Sequence, residues 1–242
     1  YQQNVWDRGG LSGGGYLSIG FGLASAPQQS AMKWFYNHSG LKELDEKNGT
    51  PFDAPSPYPH HAVLSLVNWP FALAEKNPGE VLPHAYRDTQ YGFYAWRNRW
   101  LDADDIIISI LTRTAKGNYS AAGEKALTIW GLGKKQTWGA INGGFKGEFT
   151  PAKDGSTVLT TGDGSCLAID FSKASACDGL VVMTGPGAPK SNMVEAGGSM
   201  FSFLFLTKGQ PPTPKVERNK IVIGGQTVAH DGKTIVFGTF NR

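Results

Sequence analysis

Hydrophobic positions change their rhythm about a third of the way along the chain. Over roughly 27–38, Ala31, Trp34, Phe35 and His38 recur at helical spacing, which predicts a helix opened by Ala26-Pro27 and stopped at Gly40. A polar loop is expected through Pro57. Pro59 then opens a second helix, His60 to Trp69, with Ala62, Leu66 and Trp69 on one face and Pro70 ending or bending it. Beyond about residue 90 the pattern becomes short Val/Ile/Thr-rich runs between Gly, Asn and Asp turns. Asp105–Thr112, Ala126–Gly131, Ser156–Thr161, Cys166–Phe171, Gly179–Thr184 and Ser199–Thr207 are such runs. Lys220–Ile223 and Gln226–Ala229 flank a Gly224-Gly225 hairpin turn, Thr234–Phe240 closes the series, and the proline-rich Gly209–Pro214 is a linker. Strands at this spacing predict an antiparallel β-sandwich. The fold class is therefore α+β, with a helical segment over 1–85 and a sandwich over 86–242.

The chain has 242 residues, of which 32 are Gly and 40% hydrophobic, enough for a real core and many tight turns. Two or three helices are not expected to bury Trp34, Phe35, Tyr36, Trp69 and Phe71 among themselves. They call for either the sheet or more helices, the latter pointing to a larger partner region before Tyr1. The chain begins with Tyr1 rather than Met, as a processed product or a fragment would.

Tyr91-Gly92-Phe93-Tyr94-Ala95-Trp96-Arg97-Asn98-Arg99-Trp100 interleaves aromatic rings and guanidinium groups without a break. Such a wall suits sugars or nucleic acids. The net charge is only +3, and Asp102, Asp104 and Asp105 follow Arg97 and Arg99 at once. A nucleic-acid binder shows a clustered basic stripe, so sugars are favoured. No apolar run reaches the ~18 residues of a membrane span. Arg8-Gly9-Gly10-Leu11-Ser12-Gly13-Gly14-Gly15 lacks the Gly-Lys-Ser/Thr of a P-loop, and no Gly-x-Ser-x-Gly nucleophile elbow occurs. Asn37, Asn48 and Asn118 each open a glycosylation sequon. Cys166 and Cys177 enclose a short loop, and a disulfide between them would fit an oxidising compartment. Secretion or a periplasmic location is the expectation, with two reduced thiols as the alternative.

Taken together, these features resemble the C-terminal portion of the heparinase II/III-like polysaccharide lyases. Tyr16–Tyr36 and Pro57–Pro70 look like the last helices of that family's α/α toroid. Gly92, Arg97 and Trp100 are similar to the Gly-x-x-x-x-Arg-x-x-Trp strand that opens its β-sandwich. The resemblance implies β-elimination on a uronate-containing, acidic polysaccharide, with the missing toroid part or a second chain as partner. One departure is that Asn118–Lys125, where the family carries a His-rich turn, holds no histidine.

Such a reaction needs a cation for the uronate carboxylate, a base for the adjacent proton and an acid for the leaving oxygen. Arg97, and with it Arg99, shares a strand face with Tyr91 and Phe93; Tyr94, Trp96, Asn98 and Trp100 face the other way. Arg97 is the candidate for the carboxylate, and Tyr91 or Tyr94 for acid/base work. Either arginine has an alternative, pairing with Asp102, Asp104 or Asp105 to brace the fold. His84 forms a compact polar set with Tyr86 and Arg87 in a loop between the two regions. His60 and His61 stand at a helix start, where His60 acts as a base or only caps. Trp130 and Trp138, beside glycines, either stack on sugars or plug the core. No metal spacing and no cofactor motif is present. The competing classes are a glycoside hydrolase, for which Glu75, Glu80, Asp88, Glu124 and Asp170 have no distinctive context, and a non-catalytic glycan-binding sandwich.

Overall fold

A computed structural model describes residues 17, 20–48, 60–88, 92–111, 126–140, 145–146 and 150–238. The chain divides into two units, Tyr1–Leu82 and Pro83–Arg242, a few residues before the expected boundary at 85. The architecture is α+β, helices first and antiparallel strands after.

In the first unit the helices are α1 (Ala26–His38), α2 (Leu41–Asn48), α3 (His60–Asn68) and the single turn α4 (Pro78–Val81). Ser25 opens α1, its backbone N–H and its hydroxyl both 2.9 Å from Gln28 Oε1. Gly40 stops it at φ 82°. The polar stretch after Gly40 is helical rather than looped. Its Leu41 is buried, and Lys42 and Glu46 pair one turn apart at 3.9 Å. Part of the aromatic content finds partners within the unit. Trp69 packs edge-on against both Phe21 and Tyr36, each at 4.9 Å. Lys33 Nζ donates to the carbonyls of Pro70, Phe71 and Leu73, holding that segment on α1. Leu23, Val63, Leu66, Val67 and Phe71 are exposed, while Tyr36, one of the aromatics not expected to be covered by the helices alone, is buried.

The second unit holds three antiparallel sheets. Sheet A runs β1 (Ala85–Asp88), β2 (Phe93–Arg97), β3 (Ile107–Leu111), β4 (Ala126–Gly131) and β5 (Lys134–Ala140) in sequence order. Sheet B comprises β6 (Phe145–Lys146), β7 (Thr157–Thr161), β8 (Cys166–Asp170), β9 (Gly179–Thr184), β10 (Met193–Ala196) and β11 (Ser199–Leu206), in the order β10-β11-β9-β8-β7-β6. Sheet C is a meander of β12 (Lys215–Glu217), β13 (Lys220–Ile223), β14 (Gln226–His230) and β15 (Ile235–Phe237). The linker 209–214 has no regular structure, as its prolines require.

Sheet B supplies two cores, because successive side chains of a strand point to opposite faces. Leu159, Leu167, Ile169, Val181 and Met183 join Tyr94, Trp96, Ile108, Ile110, Leu127 and Ile129 of sheet A in one cluster. The alternate residues Ala168, Leu180, Val182, Phe201 and Phe203 join Ile221, Ile223, Val228, Ile235 and Phe237 of sheet C in another. Each fully buried Val, Leu, Ile, Phe or Met among them contributes roughly 1.5–3 kcal/mol. Gly179 is fixed by this packing. A Cβ there would lie 2.8 Å from Ile106 Cδ1.

The expected disulfide is absent. Cys166 and Cys177 are both free and buried. Cys166 begins β8, while Cys177 lies beyond the other end of that strand. Four residues of strand already span ~13 Å, whereas a bridge needs Cα atoms within ~7 Å. The Cys166 thiol instead donates to the Lys233 carbonyl at 3.0 Å. Burial raises the pKa of both thiols, that of Cys177 to about 11.

Candidate functional site

The aromatic-arginine stretch becomes β2 and the turn after it. Tyr94 and Trp96 point inward, and Trp96 Nε1 donates to Thr157 Oγ1 at 3.1 Å. Phe93 and Arg97 point outward, as alternation requires. Tyr94, expected as an acid/base candidate, has its ring in the core on the face opposite Arg97. Trp138 is likewise a core residue, 6% exposed, so of its two readings the core plug holds. Trp130 is the opposite case, 44% exposed. Tyr91 and the side chain of His60 lie outside the described residues.

Register sets what shares the outer face of sheet A. His84 extends β1, its carbonyl accepting from Arg97 N–H at 2.8 Å. Arg97 lies opposite Ile107, Ile107 opposite Trp130, and Trp130 opposite Lys135. One row therefore crosses the sheet as His84, Arg97, Ile107, Trp130 and Lys135. The next row is Tyr86, Ala95, Ser109 and Thr128. Tyr86 is exposed, with its ring centroid 6.5 Å from that of Phe93. With strands ~4.8 Å apart and ~3.4 Å per residue, Tyr86 and Trp130 stand roughly 16 Å from one another across small side chains. Arg87 is exposed on the edge strand.

His84 is oriented. Its Nδ1 lies 2.8 Å from the Arg97 carbonyl, which can only accept, so Nδ1 carries the proton. In the neutral ring Nε2 then bears the lone pair. Gly155 backs this histidine at φ 87°, and a Cβ there would come within 2.9 Å of His84 Cβ.

Both arginines serve the fold. Arg97 Nη2 is 2.8 Å from Asp105 and its Nε donates to the Arg99 carbonyl at 2.8 Å. Its guanidinium lies 3.8 Å over the Trp100 ring. Arg99 reaches Asp105 at 3.2 Å and Asp102 at 2.9 Å. Asp105 is 2% exposed and also accepts the Leu101 and Asp102 N–H groups. The forks expected to grip a substrate carboxylate thus already face an internal one. This is the bracing alternative that the following aspartates suggested.

Beside this turn is a cavity of about 490 Å³, within the usual range for ligand sites. Arg99, Asp102 and Asp104 line it from one side, and Phe171, Lys173 and Asp178 from the other. Sequence reasoning missed Lys173 and Asp178, which sit in an irregular loop with no pattern to mark them.

In the helical unit, Asn37 and His38 both bond Glu75. Asn37 Nδ2 donates at 2.5 Å, and His38 Nε2 lies 2.9 Å from the other oxygen, with its ring stacked on Trp34 at 4.5 Å. These two contacts hold the Glu75 carboxyl below its ordinary range. Asn37 is thus engaged through the amide a glycan would need. The Asn48 side chain and Asn118 lie outside the described residues. Among the described residues no group of three or more His, Cys, Asp and Glu could hold a metal, and no helix is long and apolar enough to cross a membrane. No family model, no curated protein and no solved structure matches this chain.

Proposed function

We propose that this chain acts on a uronate-containing polysaccharide by β-elimination, sheets A and B being the leaves of a β-sandwich and the helical unit the end of an α/α toroid. The observation that carries it is the row of His84, Trp130 and Lys135 on the outer face of sheet A, with Tyr86 beside it. His84 Nε2 has the tautomer of a base. It takes the proton from the carbon next to the uronate carboxylate, the C–H electrons form the new double bond, and the bond to the leaving oxygen breaks. Tyr86, two residues along the same strand and so ~7 Å away on the same face, donates to that oxygen. With Arg97 and Arg99 committed to Asp105, Lys135, four strands and so ~19 Å from His84, pairs with the carboxylate of a uronate further along the polymer. Trp130 stacks under a neighbouring sugar ring.

A second reading, a non-catalytic glycan-binding sandwich, draws on the same face and is favoured by the bracing of both arginines. Incubation with uronate polymers separates the two. A lyase generates an unsaturated, ultraviolet-absorbing product that His84→Ala abolishes while polymer still retards the protein in affinity gels. Trp130→Ala weakens that retardation roughly fivefold, for about 1 kcal/mol of ring stacking. Retardation without product from the unaltered chain leaves the binding reading. Neither retardation nor product from any uronate polymer defeats both.

A further inference from the structure

We propose that the cavity beside Arg99 is a separate subsite that seats one uncharged sugar ring. It rests on the glycan reading for the class of ligand, but uses none of the sheet A face.

Charge balance is the first argument. Arg99, Lys173 and Lys208 face Asp102, Asp104 and Asp178, three cations against three anions. Lys208 is paired with Asp104, and Arg99 with Asp102. A polyanion entering here meets three carboxylates, and a polycation meets three cations. A neutral polyol suffers neither.

Donor and acceptor supply is the second. Asn98 lines the cavity with its Oδ1 already accepting from Ile106 N–H at 2.9 Å, which leaves its amide N–H groups as donors. Lys173 and Asp178 make no ion pair among the described residues. One adds donors and the other acceptors. Sugar hydroxyls both donate and accept, so alternating groups of this kind suit them, whereas a uronate or phosphate would use only the donors.

Shape is the third. Leu132 and the nearly buried Phe171 provide apolar lining, which matches the C–H face of a pyranose. Phe171 is fixed through its N–H, which donates to Ser156 Oγ at 2.7 Å. Lys173 stands at φ 64°, a left-handed conformation that a side-chain-bearing residue adopts at a cost of order 1 kcal/mol.

The test is isothermal titration of the full chain with neutral trisaccharides (gluco-, manno-, galacto- and xylo-configured) and with a galacturonate trimer. A neutral trisaccharide binds saturably, and Asp178→Asn and Lys173→Met each weaken it about tenfold or more, the scale of a hydrogen bond to a charged group. Both variants keep the parent's melting temperature, since Lys173 is exposed and Asp178 half-buried. Trp130→Ala leaves trisaccharide binding unchanged while weakening polymer retardation, so the subsite and the sheet face fail or stand separately. The proposal is overturned if no neutral trisaccharide binds, if the variants bind neutral trisaccharides as the parent does, or if the galacturonate trimer binds more tightly than every neutral one and Lys173→Met, rather than Trp130→Ala, weakens that binding.

Discussion

Sheets A and B are built from similar residues yet live in different surroundings. Both faces of sheet B are covered: β8 and β9 read as unbroken buried runs, Cys166–Asp170 and Gly179–Thr184. Sheet A gives one face to the shared cluster. The other carries Tyr86, Phe93 and Trp130, each more than a third exposed. A sheet covered twice has no surface left to meet a ligand, so the proposed recognition is assigned to the open face of sheet A and to the turns at its rim. The comparison also predicts where substitutions are tolerated. Sheet B should answer in stability, and sheet A's outer face in binding.

The largest effect belongs to sheet B. Phe203 is fully buried against sheet C. Phe203→Ala removes a ring from a region held from both sides and should cost about 4 kcal/mol, read as a lowered midpoint in urea. A loss under ~1 kcal/mol would mean that sheet C is not closed over sheet B, and the contrast between the sheets would collapse.

Next is Asp105, where the rim of sheet A behaves like a core. Asp105→Ala leaves two guanidinium groups facing each other and the Leu101 and Asp102 N–H groups without an acceptor. Breaking a buried pair costs about 3–5 kcal/mol. Arg97 is a quarter exposed and can turn to water, so about 3 kcal/mol is expected. If the variant is as stable as the parent and binds uronate polymer more weakly, the arginines belong to the ligand rather than to the fold.

The same contrast governs what the sequence made legible. Ten strands follow from Val/Ile/Thr-rich runs or the aromatic stretch, and they include every interior strand of the three sheets. Those that did not stand out, β1, β5, β6, β10 and β12, are all edge strands. Lys134-Lys135-Gln136-Thr137 in β5 and Lys215-Val216-Glu217 in β12 carry the charges that keep an edge from pairing with another chain, and so lack an apolar run. Helix α2 escaped notice for a related reason, since Leu41 is its one described buried residue. Alternation correctly separated Phe93 and Arg97 from Tyr94 and Trp96. It could not choose between Trp130 and Trp138, whose environments depend on the sheet's other strands. Lys173, Asp178 and Lys208 meet only through tertiary folding, and local pattern carries no trace of that.

The thiols give a smaller, pH-dependent effect. Because the folded chain disfavours the Cys177 thiolate, its stabilising contribution is present below the ordinary value of 9.0 and is lost as pH rises toward about 11. Stability should therefore decline across that alkaline window, and Cys177→Ser should flatten the decline. A thiol reagent should find two groups after unfolding without reductant and none beforehand. Fewer than two after unfolding would restore a bridge that the separation of Cys166 and Cys177 along β8 rules out.

The smallest effect lies outside both sheets and calibrates them. Glu75 is held ionised chiefly by its bonds to His38 and Asn37. A carboxyl lowered in this way contributes stability above its ordinary value of 4.5 and loses it as pH falls through the lowered one. The pair is substantially exposed on both sides, so solvent screening keeps its worth under ~1 kcal/mol. Glu75→Gln should therefore shift stability slightly at neutral pH and not at all once the carboxyl is protonated. A shift approaching that of Phe203→Ala would mean that the segment Lys33 holds on α1 depends on this one carboxylate. Surface ion pairs would then matter to this chain on the scale of its cores, and reading sheet A's open face as free for binding would need a different physical basis.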